Sequence, residues 1–538
     1  MAASSPPRPD FARQLANPAL LEAAVALNEN RLHDAEPLLR QHLKADPFDV
    51  AAIRMLAELA GRIGRLKDAE TLLRRAVELA PHFVAARSNL AIVLYRQNRA
   101  AEAIAELDAL SALDPDDVGN DSLRAAAKGR LGDYDEAIAL YGSVLERFPG
   151  QPKIWMSYGH LLKTIGQQAQ SVAAYRRALE IAPALGEVWW SLANLKTVSF
   201  TDADIAQMEA GLARDDIAAD DRFHLHFALG KALEDRAEAE RAFHHYAEGN
   251  RLRAAELESH ERNVSAHVAA AKALFTRSFF EERADQGCPA SDPIFILGLP
   301  RAGSTLLEQI LSSHSQVEGT MELPDLPYIA AQLGPLAQWP DRLASASADE
   351  LRQMGAVFLE RTRIQRKSDK PFFIDKLPNN WIHVGLIHLI LPNARIIDAR
   401  RHPMACCFSN FKQHFARGQG FTYSLQDIGR YYADYVHYMA HIDQVLPGRV
   451  VRVFHEDMVA DSDAEIRRLL AALGLPFEEA CLRFWETERA VRTASSEQVR
   501  RPIFKEGTEQ WKMFEPWLDP LKAALGPVLD AYPAIPAI

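Results

Sequence analysis

From Ile296 to Leu311 the chain reads ILGLPRAGSTLLEQIL, and its residue types suit the capture of an anion. Gly298 and Gly303 stand five residues apart, and Ser304 and Thr305 open an apolar run with helical spacing. Backbone N–H groups from Ala302 to Thr305 would converge at a helix N-terminus, where the partial positive charge lies. The lysine that precedes Ser/Thr in a nucleoside-triphosphatase loop is absent, and Arg301 stands inside the loop instead. An ordinary strand-to-helix turn would use the same glycines for tightness. More positive charge follows in Lys376 (IDKLPNN) and Arg400–Arg401 (RIIDARRHP). An ATPase also needs a strand-end aspartate to hold magnesium. Asp398 could be that acid, but two guanidinium groups directly after it oppose a divalent cation. The pattern favours a nucleotide whose phosphates are neutralised by side chains alone, without a metal.

These residues need a frame. IFILGL before the loop is a strand-type apolar run, and LLEQILSSH after it has helical spacing. A further strand is expected in ARIIDARRHP, Ala394 to Pro403, preceded by FFIDKLPNNWIHVGLIHLILPN. Alternating strands and helices imply an α/β domain with a parallel sheet and its ligand at the C-terminal strand ends. Arg301, Lys376 and Arg400–Arg401 all fall there.

The first half has a different regularity. Pro47, Pro81, Pro115, Pro149 and Pro183 are spaced by 34 residues. Twelve residues before each stands Ala35, Ala69, Ala103, Ala137 or Ser171, and eight before each stands Leu39, Leu73, Leu107, Tyr141 or Tyr175. A small residue lets two antiparallel helices approach, a large one fills the gap to the neighbour, and proline ends the second helix. This period and pattern are those of tetratricopeptide repeats, an all-α solenoid of about six or seven units over 18–255. Such stacks expose a concave groove that binds peptides or partner proteins. A helical connector and linker is expected over 256–290 and the α/β domain over 291–538, with residues 1–17 disordered.

Composition bounds the rest. Hydrophobic content of 48% with 25% charged residues is that of a globular protein, and 538 residues exceed one ordinary core. A net charge of -11 argues against bulk attraction to nucleic acid. Cys288, Cys406, Cys407 and Cys481 lack metal-ligand spacing, which points to a reducing compartment. The opening MAASSPPRPDFARQ has no signal-peptide core and no run approaches a membrane span, so a cytoplasmic protein is expected.

The second half resembles the PAPS-dependent sulfotransferases, over residues 294 to about 511, and is most similar to the protein-tyrosine sulfotransferase branch. A tetratricopeptide solenoid joined to such a domain looks like a common bacterial architecture. The resemblance implies that Pro300, Arg301, Ala302, Gly303, Ser304 and Thr305 cradle the 5′-phosphosulfate of 3′-phosphoadenylyl sulfate (PAPS). It implies that Arg401 and Ser409, in RHPMACCFS, grip the 3′-phosphate. Glu322, 21 residues after the loop arginine, matches the family's catalytic glutamate, and Lys376, 25 before Arg401, matches the lysine that assists the leaving phosphate. TASSEQVRRPIF resembles the strip that closes over the cofactor, which implies a transition-state contact for Ser495 and cofactor contacts for Gln498, Val499 and Arg500.

Three positions depart from the tyrosine branch. His455 replaces a tyrosine, Gln510 replaces a basic residue with Lys512 two positions on, and Gln413 replaces a second arginine of the 3′ element beside Lys412. These changes bear on cofactor affinity and acceptor identity, not on the reaction class. The expected reaction is sulfuryl transfer to a hydroxyl, with a peptide tyrosine held partly by the solenoid and Glu322 as base. A carbohydrate, lipid or small-phenol acceptor, or an inactive sulfotransferase-like scaffold, are the alternatives. Gln419 to Tyr423 (QGFTY) and Trp381 are expected on the acceptor side; His314 and His402 flank the site without a required role.

Overall fold

A computed structural model describes residues 17–113, 117–257, 264–335, 338–415, 419–491, 493, 495–503 and 508–534. The expected disordered start therefore lies outside the described residues except for Asn17, and Pro115 also lies outside them.

The chain divides into two compact units, 1–162 and 163–538. The first is a run of antiparallel helix pairs, such as Val50–Arg62 with Leu66–Leu79 and Val84–Arg96 with Ala100–Ser111. Its core is built on the spaced positions. Ala35, Ala69, Ala103 and Ala137 have no exposed surface, and neither do Leu39, Leu73 and Leu107. Pro47, Pro81 and Pro149 occupy the turns after the second helices, where a missing N–H costs nothing. Asp49 caps the helix Val50–Arg62 by accepting from the amides of Ala51 and Ala52.

In the second unit the same pattern continues through Ser171 and Tyr175, both fully buried, into the helices Gly186–Ala193, Ala219–Glu234 and Ala239–Ala255. These late repeat helices pack on the segment that follows the helix Pro403–Phe411. The His414 ring lies 5.0 Å from Phe223 and 4.7 Å from His224. Phe243 stacks on Trp517 at 5.3 Å, and Asn250 donates to the Phe411 carbonyl at 2.9 Å. Lys412 is paired with Glu234.

The sheet of this unit has five parallel strands: β1 (Pro293–Gly298), β2 (Val317–Gly319), β3 (Phe372–Lys376), β4 (Arg395–Arg400) and β5 (Val450–Phe454), in the order β2-β3-β1-β4-β5. Every residue of β1 is buried, as expected for a central strand covered on both faces. The two strands expected from sequence are β1 and β4; β4 stops at Arg400, three residues short of Pro403, which begins the next helix. Register fixes the site: Ile296 faces Lys376, Gly298 faces Ala399, and Arg400 faces Phe454.

The Asp398 carboxylate accepts from Arg400, Arg452 and the Tyr435 hydroxyl, Arg400 being one of the two arginines that the sequence sets against a cation there. One expectation needs correction. Trp381 is fully buried and donates to the Tyr431 hydroxyl at 3.2 Å, while Phe421 of QGFTY stacks on Tyr431 at 3.6 Å. Both belong to an aromatic core rather than to an acceptor-facing surface. Among the described residues no helix is long and apolar enough to cross a membrane.

Candidate active site

Four parallel strands deliver their C-terminal ends to one place, and each end carries a polar element. Gly298 ends β1 with φ +134°, and a Cβ there would lie 2.3 Å from the Ala399 carbonyl oxygen. Only glycine lets β1 and β4 run this close before the chain turns away. Gly298→Ala is expected to cost about 3 kcal/mol through this clash and the strained φ. Urea denaturation of the sheet-bearing unit measures it; an unchanged midpoint would refute the argument.

The loop that follows is wound around Arg301, which adopts φ +66°, a left-handed conformation unusual for a side chain of this size. Its guanidinium donates from Nε to Ser409 Oγ at 3.1 Å, from Nη1 to Ser495 Oγ, and from Nη2 to Gln498 Oε1 at 3.3 Å. All three acceptors are neutral oxygens. Burial and the neighbouring Arg401 pull the Arg301 pKa down to about 10, which leaves it charged at neutral pH. Arg401 is 8% exposed and donates from Nη1 to the Arg301 carbonyl at 3.0 Å. Strand alternation sends its neighbour Arg400 the other way, onto Asp398.

The helix Ser304–Ser312 starts directly after Gly303, which has φ +101° and a His455 nitrogen 3.0 Å from where a Cβ would stand. Ser304 and Thr305 are buried in its first turn, where backbone amides have no partner within the helix. Ala302 does not join them: its amide turns back to the Leu299 carbonyl at 3.2 Å. Pro300 offers only its carbonyl, which accepts from Asn410 Nδ2 at 2.7 Å and so ties the loop to the helix Pro403–Phe411. His455, following β5, lines the same cavity, and burial together with Arg401 and Arg301 brings its pKa down to about 4. It is a neutral imidazole under ordinary conditions.

Arg301, Gly303, Ser304, Thr305, Arg401 and Ser409 line a cavity of about 130 Å³ together with Ser495, Gln498 and Val499. It shares Arg301, Ser409, Lys412, Gln498 and Arg501 with a neighbouring cavity of about 670 Å³. Arg500 turns away, donating to the carbonyls of Thr164 and Arg489, and Arg501 takes the cavity-lining place. Glu322 and Lys376 lie outside this lining, at the end of β3. Lys376 is 1% exposed and its Nζ donates to Glu322 Oε1 at 2.6 Å, with Glu308 at 3.9 Å. Glu322 itself is exposed, so a buried ammonium holds a solvent-facing carboxylate.

Residues 293–479 match the Sulfotransferase family, and the Tetratricopeptide repeat is matched at 63–127 and at 20–82 and 123–185. A sulfotransferase-family domain follows a tetratricopeptide solenoid. An uncharacterized protein of Aquifex aeolicus (strain VF5) is 30% identical over 397 residues, covering 72% of this chain and 52% of its own length. The chain thus spans about half of that relative. A putative protein-tyrosine sulfotransferase of Caenorhabditis briggsae is 22% identical over 226 residues, 40% of this chain and 80% of that protein. A thermophilic TPR protein of Thermus thermophilus superimposes with a TM-score of 0.29 at 23% identity, over 32% of this chain and 93% of its own.

Of the residues that the resemblance named, the fold brings Arg301, Ser409, Ser495 and Gln498 together around one guanidinium, and it sets Glu322, Lys376 and Arg500 apart from it. Glu308, Lys412 and Arg501 were not anticipated as part of the site. Glu308 was hidden inside the apolar run after the loop, and its only sequence signal was a carboxylate among leucines.

Proposed function

We propose that this chain is a PAPS-dependent sulfotransferase that transfers a sulfuryl group to a hydroxyl, a peptide tyrosine before other acceptors. The observation that carries the reading is the Arg301 guanidinium. Half-buried, positively charged and bonded to neutral oxygens, it lines a cavity together with the first turn of a helix. A site that concentrates positive charge in this way is suited to an anion. The match of 293–479 to the Sulfotransferase family supports the choice of sulfuryl chemistry.

The chain's residues fit such a ligand. Arg301 and the amides of the Ser304–Ser312 helix would hold the 5′ end, with Arg401 and Ser409 at the 3′-phosphate. The cosubstrate supplies a sulfuryl group carried on a nucleotide 5′-phosphate, a stable leaving anion. Glu322 would accept the acceptor's proton, and Lys376, which donates to that carboxylate, would keep it aimed and supply positive charge for the leaving group. Ser495 accepts from Arg301 and so holds it in place, and its hydroxyl would donate at the same end. The tyrosine preference is supported by the similarity to the putative protein-tyrosine sulfotransferase. The repeats would hold the acceptor peptide or a partner protein. Four cysteines without a disulfide support a reducing, cytoplasmic setting.

Incubation of the full chain with ³⁵S-labelled PAPS and separate pools of tyrosine peptides, sugars and phenols tests this. Label on peptide tyrosine is the expected result. Label on sugar or phenol would move the acceptor class. No transfer to any pool, with ATP and magnesium displacing adenosine 3′,5′-bisphosphate, would overturn the reading.

A further inference from the structure

The helix Ser304–Ser312 carries a carboxylate into the interior one turn after the cradle. Glu308 is 2% exposed and stands in an apolar stretch with Leu307, Ile310 and Leu311, all buried. A leucine there would pack without the cost of burying a charge, so a helix that only packs has no use for an acid. The carboxylate is held between two cations. Arg489 Nη1 lies 3.1 Å from Glu308 Oε1, and Lys376 Nζ lies 3.9 Å from Glu308 Oε2. On its other side Lys376 donates to Glu322. The four groups alternate in sign in the order Arg489, Glu308, Lys376, Glu322, and of these Glu322 alone is well exposed.

Arg489 is itself fixed. Its Nε donates to Gln309 Oε1 at 2.7 Å, and the Gln309 amide donates in turn to the carbonyls of Phe484 and Thr487, both at 2.9 Å. Gly319, the last residue of β2, leaves the room: a Cβ there would lie 3.2 Å from Arg489 Nη1 and 2.1 Å from Ser312 Oγ. One Glu308 oxygen is therefore pinned, and the other is left toward Lys376. Asp375, beside Lys376 on β3, does not take its place. It is fully buried, and burial together with Asp325 raises its pKa well above the usual carboxylate range, which favours the neutral form. Asp325 is engaged by Arg361 at 3.0 Å.

On the proposed function, the acceptor's proton passes to Glu322 as its oxygen bonds to sulfur. The bond from sulfur to the 5′-phosphate oxygen breaks, and its electron pair stays on the phosphate. A protonated Glu322 loses the charge that strengthens its hold on Lys376, at the step that needs the ammonium. We infer that Glu308 is a positioning residue for this reaction: a second, lasting counter-charge that holds the Lys376 ammonium in place while its bond to Glu322 weakens. Glu308 meets neither the nucleotide nor the acceptor and acts through Lys376. This inference rests on the proposed function.

The test uses the full chain, PAPS and the acceptor pool that takes the label. Glu308→Gln keeps the shape of the side chain and removes its charge. Its kcat is expected to fall about 30-fold, with the KM for PAPS and the affinity for adenosine 3′,5′-bisphosphate unchanged. Glu308→Asp, which keeps the charge, recovers most of that loss. In a Lys376→Met background there is no ammonium to hold, and Glu308→Gln then costs less than about twofold more in single-turnover transfer. A kcat for Glu308→Gln within about threefold of wild type would overturn the inference. So would an equal loss in Glu308→Asp, a matching loss of bisphosphate affinity, or an undiminished cost in the Lys376→Met background, each the mark of a residue that only packs the helix. A wild type that transfers no label would sink the proposed function and this inference with it, whereas the other outcomes leave the proposed function standing.

Discussion

Glu322→Gln is expected to lower sulfuryl transfer about 10³-fold while leaving affinity for adenosine 3′,5′-bisphosphate unchanged. The glutamine keeps an oxygen for Lys376 Nζ, which now lies 2.6 Å from Glu322 Oε1. It cannot accept a proton, so the acceptor hydroxyl must react without a base. Nucleotide binding is spared because Glu322 lies outside the cavity that Arg301 and Arg401 line. Folding is spared as well, since the side chain is exposed and its buried partner retains Glu308 nearby. Single-turnover transfer and a parallel titration separate the two effects. Transfer within tenfold of wild type would remove Glu322 as base, and a matching loss of binding would make it a structural residue.

Arg401→Ala should weaken bisphosphate binding about 10²-fold, the scale of a lost charge-assisted contact in a buried site. Part of the effect is indirect. Arg401 donates to the Arg301 carbonyl at 3.0 Å and so supports the left-handed turn that aims the neighbouring guanidinium. Arg401→Lys separates the contributions, because it keeps a charge and loses the fork. A lysine variant that binds midway between the two is expected. Binding unchanged in the alanine variant would take Arg401 out of the site.

The solenoid was legible in the first half because each helix pair repeats one steric demand. Ala35, Ala69, Ala103 and Ala137 are small for the same reason and equally buried. β1 was legible because a glycine loop and a helix follow a short apolar run. The three-residue β2 and the half-buried β5 carry no comparable pattern, since edge strands of a parallel sheet are short and less uniformly apolar. Side-chain direction was the harder problem. Arg500 and Arg501 are adjacent and alike, and only the backbone after Val499 decides which enters the cavity. Ala302 looked like an amide donor by position, and the turn at Leu299 claims its N–H.

The ring cluster around His414 carries a further consequence. Phe223 and His224 of the helix Ala219–Glu234 bear on it directly, and His414 lies five residues after Ser409. On the proposed function, a peptide that displaces that helix would alter how tightly the nucleotide is held, and thermodynamic reciprocity would oblige the nucleotide to alter the peptide's affinity by the same factor. An occupied donor pocket would then recruit its acceptor, and an empty one would release it.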